Sequence, residues 1–190
     1  MRVIAGKYRS RPLRSLPGVD LRPTADRLRE TLFDVLTAGN PMKLEGTVWF
    51  DLYAGTGAVG IEALSRGAGM VHFVELSGRA AALIKQNLAS LAIGTGFQIL
   101  KQDSIRGLRA LESSSAVADF VFLDPPYAME EAYLQTLEAL SKSRLLKRES
   151  IVIAEHQKKF DPGEEFGSLV RSRKLTQRDA ALSFYRIQTA

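Results

Sequence analysis

Phe50-Asp51-Leu52-Tyr53-Ala54-Gly55-Thr56-Gly57-Ala58-Val59-Gly60 decides the fold. An apolar run over residues 48–52 enters a glycine-rich turn and passes directly into a helical pattern over 59–66. Further along the chain Asp124-Pro125-Pro126-Tyr127 follows a second apolar run, 120–123. Each stretch therefore belongs at the carboxyl end of a strand, where open α/β sheets bind their ligands.

Working outward, apolar strands alternate with amphipathic helices. Strands are expected over 48–52, 70–75, 97–101, 120–123 and 151–155, with helices over 59–66, 77–91 (Ser77 as cap) and 130–141. Residues 169–175 and 182–188 lie too close for a helical crossover and read as an antiparallel hairpin turning at 177–180. Repeated βα units closed by a hairpin predict an α/β, doubly wound, mostly parallel sheet of seven strands. Ahead of it, residues 1–22 read as a small β-hairpin or arm, leaving 23–190 as the main domain. Pro23-Thr24 opens a helix with Thr24 as N-cap, its apolar stripe running Leu28, Leu32, Phe33, Leu36 and Arg27 lying off that stripe.

The chain of 190 residues has no cysteine and two histidines, His72 and His156, in different expected strands, so no metal site is expected. No apolar run approaches the ~18 residues of a membrane span, and no secretory signal is read at the amino terminus; a cytoplasmic location follows. The net charge of +5 is uneven. Residues 1–22 hold Arg2, Lys7, Arg9, Arg11, Arg14 and Arg22 against Asp20 alone, and the rest of the chain is balanced. A basic arm on a neutral domain points to phosphates, with a solvated tail as the alternative.

The glycine loop fits G-x-G-x-x-G, with Glu75 twenty positions after Gly55, so NAD is a rival ligand on pattern alone. A helix N-terminus after the loop favours a pyrophosphate, but Asp51 beside it would oppose one. A phosphate-free, cationic ligand is attracted instead, and S-adenosylmethionine is such a molecule. The expected contacts are Asp51, Tyr53, Gly55, Thr56, Gly57, Gly60 and Leu76, with Glu75 toward the ribose. Asp103 and Ser104 then lie toward the adenine.

Asp124-Pro125-Pro126-Tyr127 suits chemistry on an exocyclic amine. Such an amine is a poor nucleophile because its lone pair is delocalised into the ring. Acceptors on both N–H groups localise that lone pair and stabilise the charge that develops. Asp124 offers a carboxylate and Pro125 a carbonyl held by Pro126, which has no N–H. Tyr127 offers a flat face for a base removed from its stack.

In these motifs the chain resembles class I, Rossmann-type S-adenosylmethionine-dependent methyltransferases. Arg2-Val3-Ile4-Ala5-Gly6-Lys7, Arg11-Pro12-Leu13 and the segment from Arg22-Pro23-Thr24 to Leu32-Phe33 resemble more narrowly the bacterial RsmD family. That resemblance implies methyl transfer to the N2 amine of guanine 966 in 16S rRNA, on the assembled 30S particle. It also implies Thr24 and Arg27 near the site, Arg27 joining the arm cations as RNA contacts, and a monomer with neither metal nor membrane. The alternative is a DNA or RNA adenine-N6 methyltransferase. Only about 35 residues follow the fifth expected strand, too few for the added target-recognition domain that DNA enzymes commonly carry.

Overall fold

The computed structural model describes residues 1–15 and 23–188, with only the backbone described at 23–25. In chain order the elements are α1 (Pro23–Thr37), β1 (Val48–Leu52), α2 (Ala58–Ser65), β2 (Met70–Val74), α3 (Gly78–Ser90) and β3 (Phe97–Leu100). There follow α4 (Ser104–Ser113), β4 (Ala118–Leu123), α5 (Glu130–Ser141), β5 (Leu146–Gln157), β6 (Glu165–Phe166), β7 (Leu169–Gln177) and β8 (Ala180–Ile187).

All eight strands form one sheet in the order β3-β2-β1-β4-β5-β8-β7-β6. The pairings from β3 through to β5 are parallel, and β8, β7 and β6 pair antiparallel beyond them. The doubly wound sheet and closing hairpin are thus as expected, with one difference in strand number. The eighth strand, β6, has only two residues, too short to leave an alternating pattern in sequence.

Side chains alternate across the sheet, and both faces are covered. Trp49, Phe122, Ile153 and Leu182 pack with Leu32 and Phe33 of α1, Ile61 of α2 and Ile84 of α3. Phe50, Leu52, Val121, Leu123 and Val152 pack with Leu108 of α4 and with Tyr133, Leu137 and Leu140 of α5. Helix α4 lies in a stretch where no helix is expected from the sequence. Its apolar stripe is short, and much of its stability comes from burying Leu108 and Leu111 against the sheet.

Helix α1 starts at Pro23, so Thr24 lies within the first turn rather than capping it. A proline at the first helical position loses nothing, because its N–H would be unpaired there anyway. The amino-terminal hairpin is present in outline, closed by an Arg2–Pro12 bridge and by Val3 N–H to the Arg11 carbonyl at 2.9 Å. It packs on the domain rather than projecting from it: Val3 and Leu13 are core residues. Gly6 (φ +79°) lets the arm lie so close to α2 that a Cβ there would stand 1.9 Å from the Ser65 carbonyl oxygen. The expected division at residues 22 and 23 adjoins a segment, 16–22, outside the described residues.

Candidate active site

In sheet order the chain runs outward from β1 to β3 on one side and from β4 to β5 on the other. The direction of winding therefore reverses between β1 and β4. Leu52 pairs with Leu123 as the last step of that ladder, so Tyr53 and Asp124 leave the sheet side by side. A cleft of about 820 Å³ opens there, at the switch point where such sheets bind ligands. It brings together Tyr53, Gly55, Glu75, Leu76, Asp103, Ser104 and the whole of Asp124–Tyr127. Glu75, Asp103 and Asp124 are acids, and no Lys or Arg is among the described residues that line it.

Glu75 holds the glycine turn. Its Oε2 accepts from Gly55 N–H at 2.8 Å and its Oε1 from Ser77 N–H at 2.7 Å. A carboxylate has about four acceptor positions, so Glu75 keeps capacity for the expected ribose contact. Asp103 caps α4, its Oδ1 accepting from Arg106 N–H at 2.9 Å. Tyr53 sits in the left-handed region (φ 62°), uncommon for a side-chain-bearing residue. Its hydroxyl is fixed between Ser104 Oγ at 2.7 Å and Thr136 Oγ1 at 2.8 Å. Of the expected contacts, Ser104 is thus engaged with Tyr53.

Four expected ligand contacts are not among the cleft-lining residues: Asp51, Thr56, Gly57 and Gly60. Asp51 is buried on the α2 side of β1, and its Oδ2 accepts from Gly60 N–H at 2.9 Å. Burial raises its carboxyl to about 8, against the lowering effect of that N–H. Position decides this difference. Asp51 shares its face with Trp49, and strand alternation turns it under the loop. Gly60 serves packing, since a Cβ there would lie 2.3 Å from the Phe73 ring, and Gly57 supplies φ +76° ahead of α2. The Thr24 side chain and Arg22 lie outside the described residues.

Asp124 stands half-buried in the cleft, and burial raises its carboxyl to about 7. Beside it the single Tyr133 hydroxyl proton is shared between the Glu155 carbonyl at 2.9 Å and the Pro125 carbonyl at 3.3 Å. Pro126 and Tyr127 are exposed. Leu76, Tyr127 and Met129 are exposed large apolar side chains, and all three line the cleft. Met129 was not foreseen. Its signal, an apolar residue just before the acidic first turn of α5, is too common to stand out.

The arm cations Arg2, Lys7, Arg9, Arg11 and Arg14, with Arg27 of α1, are exposed. The Arg11 guanidinium donates to the Ser90 carbonyl at 3.3 Å and that of Arg14 to Gln86 Oε1 at 3.3 Å, laying both along α3. Asn87 joins this arm to the glycine turn: it accepts from Arg14 N–H at 2.8 Å and donates to the Thr56 carbonyl at 3.0 Å. The anchor is Glu62, fully buried on α2 and accepting from Ile4 N–H at 2.8 Å, Ala5 N–H at 3.0 Å and Arg66 Nε at 2.8 Å. Nothing in the local sequence marks Glu62, because its arm partners lie more than fifty residues away.

Residues 1–186 match the family model described as Conserved hypothetical protein 95. The chain belongs to that family. It is 33% identical over 186 residues to the Bacillus subtilis protein named "Putative rRNA methyltransferase YlbH", covering 98% of both chains. It is 35% identical over 159 residues to the ribosomal RNA small subunit methyltransferase D of Haemophilus influenzae, covering 83% of this chain and 79% of that one. Among solved structures, a hypothetical protein of Thermus thermophilus superposes with a TM-score of 0.80 at 26% identity, over 98% of this chain and 99% of that one. The resemblance to the RsmD family read from the amino-terminal segments and the two cleft motifs is borne out by these relatives. The family's fold is the doubly wound sheet described above.

Proposed function

We propose that this protein transfers a methyl group from S-adenosylmethionine to the exocyclic N2 amine of a guanine in small-subunit rRNA. We take that base to be guanine 966, in the assembled 30S particle. The observation that carries the reading is the placement of Asp124 and the Pro125 carbonyl beside the glycine turn, in a cleft lined by acids and by no basic side chain among the described residues.

The cleft suits this donor. A pyrophosphate would meet Glu75, Asp103 and Asp124 without a cation to offset them, whereas a sulfonium and an ammonium are attracted. Above Gly55 the space is open, the nearest atom to a built Cβ being the Tyr53 carbonyl oxygen at 3.9 Å, so a ligand can approach the backbone. Glu75 would hold the ribose and Leu76 would lie against the adenine, with Asp103 near its amino group. The donor, when bound, supplies an electrophilic methyl carbon on sulfur.

Asp124 and the Pro125 carbonyl would each accept one N–H of the amine, with the base against Tyr127. The Tyr133 hydroxyl fixes the Pro125 peptide from behind. On accepting the methyl group the amine nitrogen would become acidic. Its proton passes to Asp124, whose carboxyl near 7 suits a general base at neutral pH. The arm cations and Arg27 would contact RNA phosphates, and relatives named as small-subunit rRNA methyltransferases favour rRNA over DNA.

The test supplies isotope-labelled methyl donor with small subunits, free rRNA or DNA, and then identifies the modified nucleoside. N2-methylguanosine from subunits is the expected product. N6-methyladenosine, or label in DNA alone, overturns the reading.

A further inference from the structure

Leu123 and Ala154 are the last paired residues of the parallel β4–β5 ladder, so Asp124 and Glu155 come next on each side. Continuing that ladder by one step would set their Cα atoms about 4.8 Å apart. Both follow residues of the α1-side core by two positions, Phe122 and Ile153, so both carboxyls belong to the same face. The Tyr133 hydroxyl ties the two strand ends by sharing its proton between the carbonyls of Glu155 and Pro125. Glu155 feels the Asp124 charge on one side and the buried Arg29 guanidinium of α1 on the other. Glu155 is half-buried and is not itself among the residues that line the cleft; it stands next to Asp124, which is.

We infer that Glu155 is a base-selecting residue: its carboxyl accepts the ring N1–H of guanine while Asp124 and the Pro125 carbonyl hold the two N2–H groups. The inference rests on the guanine-N2 reading. Guanine presents three contiguous hydrogens along this edge, one on N1 and two on N2, and the three acceptors lie on consecutive or adjacent backbone positions. Adenine presents two hydrogens on N6, and its neighbouring N1 carries a lone pair that faces the carboxyl oxygen unfavourably. The same contact fixes orientation, because the other ring neighbour of the guanine amine, N3, also carries a lone pair. A site built to accept a hydrogen rejects an analogue lacking it more strongly than an apolar pocket rejects an extra group. Burial, and then the Asp124 charge, push the Glu155 carboxyl well above the ordinary range, with Arg29 opposing. A protonated carboxyl would offer an O–H to a lone pair at N1, so the discrimination belongs to the ionised carboxylate, the form that the Arg29 charge favours.

The test compares RNA substrates, identical except at the target base, that carry guanine or 2-aminopurine. Both bases bear the 2-amine, but 2-aminopurine has a lone pair at N1. For the wild-type protein kcat/KM should be about 10- to 100-fold lower on 2-aminopurine. Glu155→Gln can donate to that N1 through its amide, so the guanine preference should shrink by roughly tenfold. S-adenosylhomocysteine binding by calorimetry should stay unchanged in the variant. An equal preference in wild type and Glu155→Gln overturns the inference. If the variant does not bind S-adenosylhomocysteine, Glu155→Asp takes its place in the comparison, and equal turnover of the two bases by wild type still sinks the idea. Should wild type methylate no guanine at N2, the functional reading itself has failed, and this one falls with it.

Discussion

Glu75 Oε2 accepts a hydrogen bond from Gly55 N–H at 2.8 Å, joining the end of β2 to the turn that follows β1. One carboxylate thus sets the shape of the glycine turn and faces the cleft that the turn forms. Replacing Glu75 with Ala leaves the Gly55 amide without that partner and removes the proposed ribose acceptor. Calorimetry should show S-adenosylmethionine affinity reduced at least ~10-fold, since bonds to charged groups contribute about 1.5–3 kcal/mol. Unchanged affinity would remove Glu75 from the ligand site.

In the proposed mechanism Asp124 acts on the transition state more than on ligand binding. Asp124→Ala should lower kcat by ~10² or more with little change in S-adenosylmethionine affinity. The same group sets a pH dependence. The carboxylate is the active form, so single-turnover rates should rise with pH through about 7 and level above it. A rate that is flat between pH 6 and 8 speaks against Asp124 as the proton acceptor.

Asp51 contributes to stability with the opposite sign from a paired surface carboxylate. Its folded carboxyl is raised from 3.8 to about 8 by burial, so between those values the folded state holds a proton that the unfolded chain has lost. Stability from this group is therefore full below pH 4 and declines as pH climbs toward 8. Asp51→Asn keeps an acceptor for Gly60 N–H and should flatten that slope in urea unfolding measured across pH 5 to 8. An unaltered slope would mean the group is ionised in the fold.

Glu62 has the largest expected effect on stability. Glu62→Ala leaves the Ile4 and Ala5 amides unpaired and removes the carboxylate beside buried Arg29 and Arg66. Breaking a buried ion pair on one side costs about 3–5 kcal/mol. Chemical denaturation should register a loss of that order, and a loss below about 1 kcal/mol would show that the arm docks without it.

Deleting the basic arm would confound RNA affinity with folding, because Val3 and Leu13 belong to the core. Charge-neutral substitutions answer the question better. Arg9→Gln, Arg11→Gln and Arg14→Gln together should weaken RNA binding and flatten the plot of log affinity against log salt. The slope should fall by up to about 0.7–0.9 for each phosphate no longer neutralised. A slope identical to wild type would make these arginines solvated surface.

The motifs were legible in sequence because their meaning is local. An apolar strand, a glycine turn and a helix follow one another in eleven residues, and Asp124-Pro125-Pro126-Tyr127 carries its acceptor, rigid carbonyl and ring in four. Strand alternation and loop length then fixed the doubly wound sheet, and with it the end at which both motifs meet. Residues whose roles depend on how elements pack together were not legible. Asp51 has the same neighbours in sequence whether it faces a ligand or Gly60, and only the packing of α2 on β1 turns it inward. Glu62 reads as an ordinary helix glutamate until the arm lies over it, and Glu155 as a strand-end acid until the β4–β5 register sets it beside Asp124. Short-range chemistry was written in the chain order; which charges face each other was decided by strand register and helix docking, since those contacts form between residues thirty to sixty positions apart.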